Sequence, residues 1–251
     1  MISILSIVIP AWAGICVANP NGDARPRGHD ENKMTSSSNT PTERTRVKRL
    51  AKRAHYDEAT VHAILDAQPF CTVGYTFKGT PYVTPTMQWR EGNHIYWHGS
   101  SASRMLEACE DAQVCVNVTL YDGMVMARSA FNHSVNYRSV MAFGRAYKVV
   151  ETHEKEQKMK NFVDALYPGR WDMLRPMTKQ EFKATMLLGM ELSEVSAKVR
   201  NGGPADDEED FALPIWAGVI PMSVQVGTPI DCARLPAWLV PPAHVRGFKI
   251  D

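Results

Sequence analysis

Three glycine turns, Lys78-Gly79, Glu91-Gly92-Asn93 and Asp122-Gly123, sit between runs that alternate apolar and polar residues. Turns this tight join antiparallel neighbours, because a parallel pair needs a crossover of about a dozen residues or more. The chain is therefore expected to fold as an antiparallel meander. Strand patterns fall on residues 70–77, 82–89, 94–98, 114–120, 124–131, 138–150 and 184–199, with a short one at 215–220. The reading is a mainly β chain with six or seven antiparallel strands and two helical insertions. A small barrel, closed or split, is the economical architecture, since closure removes the exposed sheet edges.

Helical signals are local. Asp57 opens DEATVHAILDAQ, where Asp57 can cap and Val61, Ile64 and Leu65 share one face. Residues 101–109 read as a helix with Met105, Leu106 and Cys109 inward. Residues 152–167 follow a helical period that Pro168-Gly169 ends, and residues 178–183 form a shorter helix. Pro85 lies inside the second strand. A proline there marks an edge or a bulge, where the ladder opens and a ligand can reach backbone groups.

Bulk properties narrow the classes. The chain has 251 residues, 44% of them hydrophobic, enough for one good core with tails to spare. A net charge of +1 supplies no global field for nucleic acid. The basic run from Arg44 to Arg53 holds six Lys or Arg residues and reads as a solvated arm. Five cysteines without a CxxC suggest neither a disulfide framework nor a zinc site, and fit reduced thiols in the cytoplasm. Residues 1–18 are apolar, but Met1-Ile2-Ser3 carries no basic residue and Pro10 interrupts the run. Residues 1–33 read as an upstream extension, with a targeting segment and a buried helix as the other readings and Met34 as an internal start. The division expected is 1–53 as a disordered or non-native extension, 54–225 as the folded domain and 226–251 as a tail. No GxSxG, HExxH, GxxxxGK[ST] or GxGxxG motif supplies a rival chemistry.

One stretch carries chemistry. In His94-Ile-Tyr-Trp-His-Gly-Ser-Ser-Ala-Ser-Arg104 a strand ends at Gly99 and runs into a serine-rich helix start bearing an arginine. Free backbone N–H groups, hydroxyls and a guanidinium gathered there make a phosphate site. About thirty residues on, FNHSVNYRSV puts Arg138 and Ser139 at the head of another strand.

At these motifs the sequence resembles the pyridoxamine 5′-phosphate oxidase superfamily, the FMN-binding split barrels, and within it the branch that includes nitroimidazole-resistance proteins. TPTMQW, IYWHGSSASRM, NYRSVMAFGRA, SAKVR and WAGVIP carry the resemblance in order, from about Arg53 to Pro221. It implies an obligate homodimer with two FMN sites at the interface; the activity expected is an oxidoreductase acting on a small molecule, with nitro-group reduction, amine oxidation and reduction by a nicotinamide donor all open. It implies that the strand with Thr84, Pro85, Thr86 and Met87 offers backbone groups to the flavin's polar edge. Trp97 and His98 would meet the ring, Ser100, Ser103 and Arg104 the phosphate, and Arg138 and Ser139 the ring again. Lys198 and Trp216 match late positions close to the cofactor. One departure is Met105, which stands where the oxidase proper carries a second basic residue.

Each residue also has a plainer reading. Arg104 in a first helical turn opposes the helix dipole unless an anion sits close, which favours phosphate over a surface role. The serines read as caps or as phosphate ligands, which use one geometry. His98 reads equally as a hydrogen-bonded structural residue and as the catalytic group beside flavin or substrate; His133 is a weaker site residue. Arg138 could be a cross-strand partner, Trp216 core, and Lys198 part of a solvated edge. Two other functions stay open: a flavin carrier without turnover, and a split barrel holding haem or a deazaflavin.

Overall fold

The computed structural model describes residues 39–250. The apolar stretch 1–18, Cys16 and Met34 lie outside the described residues. Ten strands follow in chain order: β1 Ala54–His55, β2 Phe70–Phe77, β3 Thr80–Glu91, β4 His94–Ser100, β5 Gln113–Met126, β6 Ser134–Arg145, β7 Tyr147–Lys148, β8 Thr185–Glu191, β9 Glu194–Arg200 and β10 Gly218–Pro221. Helices are α1 Glu58–Ala67, α2 Arg104–Cys109, α3 Thr152–Leu166, α4 Lys179–Ala184 and α5 Ala243–Arg246. Every pairing is antiparallel, in the order β1-β9-β6-β5-β2-β3-β4-β8-β7, with β10 added to β5. That path does not close on itself, so the barrel is split, as expected for a mainly β chain of this pattern.

Local chemistry explains the elements. The Asp57 carboxylate accepts the Thr60 N–H at 2.8 Å and caps α1, whose Val61, Ile64 and Leu65 are all buried. Lys78 and Gly79 both take positive φ, 49° and 78°, the twist that a two-residue hairpin between right-twisted strands requires. Inside the barrel α1 and α2, the latter through Leu106, close over Val73, Ile95, Trp97, Val116 and Val118. A second cluster lies on the other face of β3, β4 and β8, where Trp89, Tyr96 and Leu187 pack with Met159 of α3.

Two strand boundaries differ from expectation. Residues 114–120 and 124–131 were expected as separate strands around an Asp122-Gly123 turn. They belong largely to one strand, β5, whose register against β6 shifts between Tyr121 and Gly123. Asp-Gly here serves a bulge, because β6 continues as its partner on both sides. Conversely, residues 184–199 are two strands, β8 and β9, which part at Leu192-Ser193 while the Leu192 N–H donates to Asn93 O at 2.9 Å. The helix expected from Ser101 starts at Arg104, since the Ser101 N–H is tied to Ala184 O at 2.8 Å. Residues 39–53, assigned from sequence to a disordered extension, lie against the fold. The Asn39 N–H donates to Tyr56 O at 2.9 Å, and Arg44 pairs with Glu194.

Candidate functional site

Strand β3 changes partners along its length, and the site grows from that change. Residues 80–87 pair with β2 on one side only. Residues 88–91 pair with β4, the last rung being Gln88 with Trp97. Beyond Trp97, β4 runs on through His98, Gly99 and Ser100 with β8 as its other neighbour. A fork therefore opens between residues 80–87 of β3 and residues 98–100 of β4.

The ladder sets which backbone groups face that fork. The Gln88 N–H donates to Pro69 O at 2.7 Å, toward β2. Alternation along an antiparallel strand then turns the backbone groups of Thr86 and Thr84 to β2, and those of Met87, Pro85 and Val83 to the fork. Pro81 and Pro85 thus occupy positions where a missing N–H breaks no ladder bond. Thr84 Oγ1 lies 3.3 Å from the Tyr75 hydroxyl, inside the hairpin.

At the mouth of the fork stands the start of α2. Ser103 is its N-cap residue, yet the Ser103 side chain makes no capping bond. Ser100 Oγ accepts the Ala102 N–H at 3.2 Å. The exposed Arg104 guanidinium lies 4.8 Å from the Tyr82 ring centroid and 5.7 Å from that of Phe77. It takes no ion pair among the described residues. The next residue, Met105, is buried in the core. A side chain there points inward, so the basic residue that the resemblance would place at 105 has no room to face the fork.

Trp97 and His98 lie on opposite faces of β4, as strand alternation requires. The Trp97 ring is fully buried in the barrel interior, and its Nε1 meets no acceptor. His98 turns toward α3. Its ring sits 4.7 Å from Phe162 and 6.0 Å from Trp89, and Nδ1 is buried with no partner. Burial pushes the imidazole pKa below its ordinary 6.5, so His98 is neutral at neutral pH.

The remaining predicted residues lie elsewhere in the sheet. Ser139 pairs with Thr119 and Lys198, and its hydroxyl donates to Lys198 O at 3.4 Å. Arg138, on the other face, is held by both Asp122 oxygens, with Nε 3.0 Å from Oδ2 and Nη2 2.9 Å from Oδ1. Trp216 is largely exposed and lies over Gly218, where a Cβ would come within 2.9 Å of its ring. His133 is exposed, with Nδ1 2.8 Å from Ser129 O. Counting strands from β3 to β6 and β9, Ser139 and Lys198 stand roughly 14 Å and 19 Å along the sheet from the fork. On one chain Pro85 and Met87 line the fork with Ser100, Ser103 and Arg104 at its mouth, His98 turns from the adjoining strand toward α3, and Arg138, Ser139 and Lys198 lie on strands removed from β3.

A model of the family described as pyridoxamine 5′-phosphate oxidase matches residues 57–199, which contain the whole fork. The chain belongs to that family. Among solved structures it is similar to the flavocytochrome Anf3 from Azotobacter vinelandii, at 47% identity and a TM-score of 0.81, covering 84% of this chain and 99% of that one. It is also similar to the FAD and haem binding protein from Mycobacterium smegmatis, at 33% identity and a TM-score of 0.75, covering 78% and 97%. A search of curated proteins finds no match. Both matches cover a larger share of this chain than the family model does.

Several residues that contact the predicted ones escaped sequence reading. Tyr82 and Phe77 form the platform under Arg104, Asp122 clasps Arg138, and Phe162 covers His98 from α3. Only Asp122 left a local trace, as half of an Asp-Gly signal. Among the described residues no cluster of three or more His, Cys, Asp or Glu could hold a metal ion, and no helix is long and apolar enough to cross a membrane.

Proposed function

We propose that this chain binds a flavin nucleotide in the fork and acts as an oxidoreductase on a small molecule. One observation carries the reading: residues 81–87 present backbone groups on an unpaired edge beside an Arg104 that no carboxylate neutralises among the described residues. The fork's donor set suits a nucleotide. Arg104 and the unspent Ser103 hydroxyl would hold a phosphate, and the backbone groups of Met87 and Val83 would hydrogen-bond a ring's polar edge. Once bound, the flavin would supply the redox chemistry, with a nicotinamide compound as the expected electron donor. The protein's share is to orient the ring and keep water off one side of it. His98, kept neutral by burial, would accept or donate a proton beside it.

FMN, expected from the sequence, and FAD both carry the phosphate that Arg104 would meet. The mycobacterial relative's FAD favours the larger nucleotide. Both relatives are also haem proteins by description, which favours haem alongside flavin rather than in its place. A histidine that ligates haem iron does so as neutral imidazole, and His98 meets that condition. The separation of Ser139 and Lys198 from the fork supports a homodimer in which the second copy completes the site. The free cysteines Cys71, Cys109, Cys115 and Cys232 support a reducing compartment, the cytoplasm.

The test is a spectrum of the purified protein with mass analysis of the released ligand. Flavin bands, with or without a Soret band, are expected. Arg104→Ala should weaken flavin binding by about 10–100-fold, the worth of a hydrogen bond to a charged group, with the melting temperature of the apo protein unchanged. Unaltered affinity in that variant refutes the phosphate assignment.

A further inference from the structure

Half of the large hydrophobic side chains that the described chain exposes fall between residues 211 and 240. Ile230, Trp238 and Val240 are 96%, 79% and 69% exposed. From residue 211 to 242 the only charged residues are Asp231 and Arg234. Between β10 and α5 this segment forms no helix or strand. Where it passes Arg170 and Met173 it leaves a largely apolar cavity of about 280 Å³ beside Leu235, Leu239 and Val245. A stretch of this length with so few charges and so much exposed apolar surface is not finished by its own chain.

The surface that would finish it is on the same molecule. β10 pairs with residues 123–126 of β5, and β5 carries Tyr121 and Met124 exposed on its outer face, beside Val135 and Met141 of β6. That face and the arm meet at β10, where the exposed Ile220 pairs with the exposed Met124. A two-fold axis that sets the outer face of one copy against that of another would bring each arm to its partner, as an isologous interface requires. The area is sufficient. A dozen large side chains, each showing roughly half of the ~150 Å² that such a side chain can bury, exceed the ~800 Å² per partner of a stable interface.

We propose that residues 211–242 are a dimer arm that packs on the outer sheet face of a second copy of this chain. The inference rests on the homodimer of the proposed function and adds the element that holds it. Its test is sedimentation of the full-length protein carrying Ile230→Asp, Trp238→Asp and Val240→Asp. All three side chains are exposed in the single chain, so the fold should tolerate the changes. The dimer dissociation constant is expected to rise at least 100-fold, with an unchanged far-UV circular dichroism spectrum. A dimer of unaltered affinity overturns the arm and spares the homodimer, whereas a wild-type protein that is monomeric at every concentration overturns both. Hydrogen exchange on the wild type guards against misfolding of the variant. Amides of residues 222–242 should be protected above the dissociation midpoint and exposed below it. Protection independent of concentration would mean that the arm is covered within one chain. Binding to phosphatidylglycerol vesicles that the triple variant abolishes, with the dimer intact, would assign the arm to lipid instead.

Discussion

The two halves of β3 are continuous in sequence and unlike in every other respect. Its last four residues, from Gln88, lie between β4 and the turn that follows α1. Gln88 is buried, and its Nε2 donates to Leu65 O at 2.7 Å and Gln68 O at 2.9 Å. Here side chain and backbone tie the strand to its surroundings. In the first half, residues 80–87 have β2 on one side and no strand on the other, prolines stand at positions 81 and 85, and Val83 is exposed. Backbone groups left unpaired on a sheet edge are a liability unless water or a ligand takes them. The comparison teaches that one strand can anchor a fold with one end and keep the other open for binding. Prolines four residues apart, both on the fork-facing register, are how the open end avoids becoming a pairing edge.

That contrast is strongest at Gln88. Gln88→Ala removes both hydrogen bonds, leaves two carbonyls without their donor and opens a cavity. The expected cost is about 3 kcal/mol, read in urea unfolding, or roughly 10 °C in melting temperature for a domain of this size. A loss below ~1 kcal/mol would mean that the buried half is no anchor. Three residues away, Pro85→Ala should cost only ~0.5–1 kcal/mol, through the freedom returned to the unfolded chain. Equal losses at 85 and 88 would erase the distinction between the halves.

Much of this was legible in the residues themselves. Pro85 marked the open edge, Lys78-Gly79 fixed the hairpin, and the spacing of Val61, Ile64 and Leu65 gave the buried face of α1. These signals are local, and the structure keeps them. What failed was decided by partners distant in sequence. Asp122-Gly123 reads equally as a turn or a bulge, and only β6 running alongside settles it. Leu192-Ser193 carries no Gly or Pro, yet the chain turns there because Leu192 bonds back to Asn93. The site divides the same way. Arg104 could be named from a helix start, whereas its platform on Tyr82 and Phe77 depends on how α2 lies across the hairpin. The spacing between Arg104 and Ser139 in sequence says nothing of the strands that separate them in space.

The smallest expected effect lies at the point where the halves part. His98 sits just past the last rung, its ring walled by Trp89 and Phe162, and burial disfavours its charged form. In the unfolded chain the imidazole titrates near its ordinary 6.5. As pH falls below that value the unfolded state takes up a proton that the folded state resists, so stability present above pH ~6.5 drains away until the folded imidazole also titrates. The apo protein should therefore melt lower at pH 5 than at pH 7.5. His98→Phe should flatten that slope while keeping the aromatic contact with Phe162. If the slope is the same in both proteins, other groups set the acid sensitivity, and His98 is not the neutral imidazole that the fork's chemistry requires.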